Sequence, residues 1–153
     1  MRSSRQRIFL DAMMMQEPAW PIVKRIESRF RDAITLNVGP GVWEEISHPR
    51  VPRFVRDRAE PLTLPVDAGA HPAIESLTAE LGAVLRGDAA RSFRHEKDAR
   101  NLAEAAVLGG IRFLTEDRHL LRHTAEIGSL SGLEVVDAET FLTRLEAGPR
   151  PAS

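Results

Sequence analysis

The chain has 153 residues, of which 42% are hydrophobic and 28% charged, with a formal net charge of −1. This composition fits a folded chain with one core, and so small a net charge gives no global pull toward nucleic acid. No apolar run approaches the ~20 residues that span a bilayer; the apolar part of the first ten residues is only Ile8 to Leu10, too short for a secretory signal; and the lack of cysteine excludes disulfides and thiolate-bound zinc.

These facts predict a cytoplasmic protein with no membrane association, one domain over residues 1–147 and a loose tail over 148–153. In chain order, Arg7 to Asp11 reads as a first strand ending in an acid, followed by Met13, Met14 and Met15. Pro21 suits the first turn of a helix, with Ile22, Val23, Ile26 and Phe30 as its apolar stripe. Ile34 to Val38 is a second strand, and Gly39-Pro40-Gly41 turns the chain into a short helix, Val42 to Ser47. Val51 to Arg58 is ambiguous. Leu62, Leu64 and Val66 alternate like a strand, which Pro65 confines to an edge. Pro72 opens a helix with Ile74, Leu77, Leu81, Val84 and Leu85 on one side.

The stretch Lys97 to Leu121 reads as helix, turn, strand, acidic loop and helix. Asp98, Leu102, Ala105, Ala106 and Gly109 fall at helical spacing, and the small residues predict a helix lying close on a sheet. Gly109-Gly110 ends it. Ile111 to Thr115 resembles a buried parallel strand, with Glu116 and Asp117 at its carboxyl end, the edge where open α/β sheets build sites. A helix from Asp117 to about Glu126 is stopped at Gly128. Leu133 to Val136 is the last strand, and Asp137 caps the last helix. The near-continuous alternation predicts an α/β fold, with a mostly parallel sheet covered on both faces.

Asp98, Ala99, Ala103, Ala106, Thr115 and Asp117, with the run Gly132 to Val136 and then Asp137, Phe141 and Leu142, resemble the C-terminal half of PIN-domain ribonucleases, including toxins of VapBC-type toxin–antitoxin pairs. Asp11 after Ile8-Phe9-Leu10 matches the family's first aspartate. Glu45 before Ile46 matches its glutamate, with Glu44 as the fallback. The resemblance implies a three-layer α/β/α sandwich. It also implies a metal-dependent endoribonuclease in which Asp11, Glu45, Asp98 and Asp117 hold Mg²⁺ or Mn²⁺, with Thr115 hydrogen-bonding a ligand carboxylate. Implied partners are RNA, a cognate antitoxin and a second copy of the chain. One position departs: the family has a small polar residue two places after the first aspartate, and here it is Met13, a poor ligand for a hard cation. That leaves a second reading, a PIN-like RNA- or protein-binding module with a weakened site.

Each acid also has a plain structural use. Asp117 is placed to cap the next helix, Asp98 to face a helix dipole, Asp11 merely to end a strand, and Glu45 to be solvated. If they converge, two carboxylates ~4 Å apart at an effective dielectric of ~20 repel by roughly 4 kcal/mol, so some must protonate or bind a cation. Oxygen ligands favour Mg²⁺ or Mn²⁺ over zinc. Arg91, Arg94, Lys97 and Arg100 are candidates for RNA phosphates; Arg50, Arg53, Arg56 and Arg58 form a second basic cluster, for which a solvated face is the alternative. His119 and His123 stand four apart on one helix, but no third ligand supports a metal pair. No glycine-rich loop precedes a Lys-Ser/Thr pair, which excludes a P-loop nucleotidase.

Overall fold

The computed structural model describes residues 5–87 and 93–148. Four parallel strands form one sheet: β1 (Gln6–Leu10), β2 (Ile34–Asn37), β3 (Gly110–Leu114) and β4 (Glu134–Val136), in the order β2-β1-β3-β4. Between and after them run α1 (Ala19–Phe30), α2 (Pro40–Ile46), α3 (Arg53–Ala59), α4 (His71–Arg86), α5 (Phe93–Val107), α6 (Arg118–Arg122), α7 (Thr124–Ser131) and α8 (Ala138–Glu146). The result is a three-layer α/β/α sandwich. Among the described residues, no helix is long and apolar enough to cross a membrane.

The strand period of two explains the layers. Ile8, Leu10, Leu114 and Val136 point to one core, which they share with Val23 and Ile26 of α1, Val42 and Ile46 of α2, Val55 of α3 and Phe141 of α8. Phe9, Phe113 and Val135 point to the other, against Leu81 and Leu85 of α4, Leu102 and Ala105 of α5 and Ile127 of α7. Both faces of β1, β3 and β4 are therefore apolar, as in parallel sheets covered on both sides. The small residues of α5 do bring it close: a Cβ on Gly110 would lie 2.7 Å from the Ala105 carbonyl oxygen and 2.6 Å from the Phe9 ring.

Several expectations are corrected. Gly39-Pro40-Gly41 is not a separate turn: Gly39 is the N-cap, and Pro40 and Gly41 are the first residues of α2. The ambiguous stretch is helical, as α3. Leu62 to Val66 forms no strand. Among the described residues its sheet-like feature is a bridge between Val38 and Thr63, because Pro61 and Pro65 stand on either side of that bridge and supply no N–H. The helix after Asp117 is two helices, broken at His123. Gly128 lies inside α7, and the stop is Gly132, whose φ of 78° is the left-handed conformation glycine permits. Residues 149–153 of the expected tail lie outside the described residues.

Candidate functional site

The chain runs from β1 outward to β2 and then back across to β3, so β1 and β3 flank the point where the sheet changes direction. Loops leaving the carboxyl ends of such a pair diverge and open a crevice. Asp11 and Thr115 stand there, each one residue past its strand. The Asp11 N–H continues the ladder by donating to the Leu114 carbonyl at 3.0 Å.

Asp11 is only 6% exposed. Its Oδ1 accepts from the Ala12 N–H at 2.8 Å, and its Oδ2 from the Thr115 hydroxyl at 2.7 Å. Burial raises its pKa to about 6; the bonds from Thr115 and Ala12 oppose that rise, and the negative charges of Glu45 and Asp117 add to it. The buried Thr115 hydroxyl also accepts the Asp117 N–H at 3.0 Å, so one oxygen ties the two acidic loops together. Met13 places its sulfur 3.6 Å from that hydroxyl.

Asp117 does cap α6, accepting from the His119 N–H at 2.8 Å and the Leu120 N–H at 3.4 Å. Both bonds use Oδ1, so the cap leaves Oδ2 available. Asp98 lies in the second turn of α5 rather than opening it. The helix-dipole use therefore lapses, since that effect fades beyond the first turn. Asp98 is half-buried, and among the described residues its carboxylate receives no hydrogen bond. Burial first, then the charges of Asp11, Asp117 and Glu45, push its pKa up to about 7. The four acids thus act on one another electrostatically, although they come from β1, α2, α5 and the β3–α6 connection.

Between Glu44 and Glu45 the geometry discriminates. Glu44 is exposed, whereas Glu45 is half-buried and accepts from the Asn101 side-chain amide at 2.9 Å. Two residues of this arrangement were not singled out from the sequence: Asn101, 4% exposed, and Glu104, 3% exposed. Glu104 accepts the Gly41 N–H at 2.8 Å and pairs with Arg100 at 3.5 Å. Together they fasten the amino end of α2 to α5. A Cβ on Gly41 would lie 2.4 Å from Asn101 Oδ1 and 2.8 Å from Glu104 Oε1, so this junction needs glycine. The signal was present in the spacing: residues 98, 101 and 104 recur every three positions and share a helix face.

Beside Glu45, α5 and α2 with the turn after it enclose a cleft of about 700 Å³, lined by Glu44, Glu45, His48, Lys97, Arg100 and Asn101 among others. Lys97 and Arg100 line it as cations. Arg91 and the side chain of Arg94 lie outside the described residues. In the second basic cluster two members are occupied structurally: Arg56 donates to the His48 and Val51 carbonyls, and Arg58 to the Met15 carbonyl, where it also stacks on Trp20 and Phe54. His119 Nε2 donates to the Leu85 carbonyl at 2.7 Å and His123 Nδ1 to the His119 carbonyl at 2.9 Å. Each imidazole is thereby anchored to backbone.

No family model matches this chain, and a search of curated proteins returns no match.

The donor set is carboxylate oxygen throughout, burial and neighbouring negative charge raise the pKa values of Asp11 and Asp98, and among the described residues Asp98 has no donor to compensate its charge. That chemistry fits a hard divalent cation, which would take over the compensation. Among the described residues, no three His, Asp or Glu side chains are drawn close enough to grip an ion as they stand.

Proposed function

We propose that this chain is a PIN-like, Mg²⁺- or Mn²⁺-dependent endoribonuclease. The observation that carries the reading is the Thr115 hydroxyl joining the Asp11 carboxylate to the Asp117 loop at the switch point of a parallel sheet. Asp11, Glu45, Asp98 and Asp117 would hold the metal, some through water. A bound divalent ion supplies an activated water and stabilises the charge that develops on a phosphodiester. The chain's own residues do the rest. Thr115 fixes the Asp11 carboxylate and the Asp117 backbone, Asn101 orients Glu45, and Lys97 and Arg100 offer positive charge to phosphates. Within this reading the chain acts as the toxin of a toxin–antitoxin pair, as a homodimer, inhibited by an antitoxin that places a basic residue among the acids.

The test is cleavage of single-stranded RNA by purified protein with and without Mn²⁺, beside Asp98→Asn. Mn²⁺-dependent cleavage lost in the variant is the expected result; equal cleavage by both refutes it. Competition between single-stranded RNA and DNA identifies the polymer. Induction in a bacterium without a partner should arrest growth, and unimpaired growth counts against the toxin role. A second reading, a binding module with a weakened site, draws on Met13, whose sulfur sits where the first strand's share of the site is formed. RNA binding without Mn²⁺-dependent cleavage would select it.

A further inference from the structure

Four charged side chains line the cleft beside Glu45, and they are not equivalent. Glu45 is held by Asn101 and Arg100 by Glu104. Glu44 on α2 and Lys97 on α5 are both exposed, and neither side chain has a hydrogen bond or ion pair among the described residues. They do not pair with each other, although they line the same cavity. His48 completes the α2 side. Its Nδ1 accepts the Arg50 N–H at 3.2 Å, so the neutral ring carries its proton on Nε2.

A carboxylate and an ammonium borne by different helices along one cavity, without partners among the described residues, suit a ligand with an anionic group at one end and N–H donors at the other. The volume is that of a pocket for a small ligand. Unpaired nucleotides have these two ends, a phosphate and a base edge open to hydrogen bonding. Among the four bases, guanine alone sets two N–H donors side by side on its Watson–Crick edge, the ring N1–H and the exocyclic amine. Those two donors match the two oxygens of one carboxylate. Adenine and cytosine set a donor beside an acceptor there, and uracil sets a donor between two acceptors.

We infer that this cleft is a guanine-selective nucleotide subsite, in which the Glu44 carboxylate accepts from the base edge and Lys97 binds the adjoining phosphate. The inference rests on the nucleic-acid part of the proposed function, not on the hydrolysis.

The experiment measures binding of fluorescent hexauridylate, and of the same hexamer with one central guanosine, to the full chain in EDTA. The guanosine probe should bind roughly tenfold tighter, the discrimination expected of one bidentate contact. Glu44→Gln should erase that preference while keeping hexauridylate affinity. Lys97→Met should weaken both probes alike and lower the salt slope by about 0.7, the value for one phosphate contact on a single strand. Both positions are exposed, so the fold is untouched, and melting curves verify that. Equal binding of the two probes overturns the inference, as does a preference that survives Glu44→Gln. Displacement of both probes alike by polyglutamate would also overturn it, since the cleft would then take any polyanion. Guanosine-dependent binding without Mn²⁺-dependent cleavage refutes the hydrolase alone. Cleavage with no Glu44-dependent base preference refutes the subsite alone.

Discussion

The acids at the carboxyl edge of the sheet are unequally provided for. Asp11 receives two hydrogen bonds and Asp117 two at one oxygen, while Asp98 receives none among the described residues. Asp98 is thus easier to fold neutral than charged. Its folded pKa, about 7, lies above its ordinary 3.8, so the stability it contributes is complete below that ordinary value and is lost as pH rises through about 7. Asp98→Asn mimics the protonated form. Without divalent ions, the variant and the native chain should melt together near pH 4, and the variant's advantage should grow until about pH 8. A constant gap across that range would refute the assignment. Thr115 makes a different prediction. Thr115→Val leaves a buried Asp11 oxygen and the Asp117 N–H without a partner, which should cost about 1–3 kcal/mol in denaturant unfolding, whereas Thr115→Ser should retain most of it.

At the scale of elements, the junction of α2 with α5 sets where Glu45 stands. Asn101→Leu removes the hydrogen bond that, among the described residues, Glu45 receives from another element, and should lower Mn²⁺ affinity or activity roughly 10–100-fold, as loss of a group supporting a metal ligand does. Unchanged Mn²⁺ titration would remove Asn101 from the site. Gly110→Ala pushes a methyl against the Ala105 carbonyl and the Phe9 ring, and overpacking there should cost about 1–3 kcal/mol. These elements also show what the sequence could convey. Strands β1, β3 and β4 and the caps Asp117 and Asp137 were legible because each depends on a few neighbouring residues. The strand expected over Leu62 to Val66 failed because alternation does not provide the N–H groups that Pro61 and Pro65 lack. Gly128 was read as a stop because a glycine within a helix and one ending it look alike until φ is known. Asn101 and Glu104 stayed hidden because their partners, Glu45 and Gly41, are 56 and 63 residues away.

For the molecule as a whole, the proposed metal links folding to ion concentration. Mn²⁺ at about 100 times its dissociation constant should stabilise the native chain by about 2.7 kcal/mol, and EDTA should reverse this. The same gain in Asp98→Asn would mean that the ion binds elsewhere. The two-sided core gives this site a rigid base, since β1 and β3 are buried on both faces. Asp11 and Thr115 are 104 residues apart, and their hydrogen bond exists only where β3 has docked against β1. A ribosome that has not yet released residues 110–117 therefore holds a chain in which this constellation cannot exist. The same holds for any truncation product that ends before them: it would carry Asp11, Glu45 and Asp98 yet lack the hydroxyl and the fourth acid that complete the arrangement.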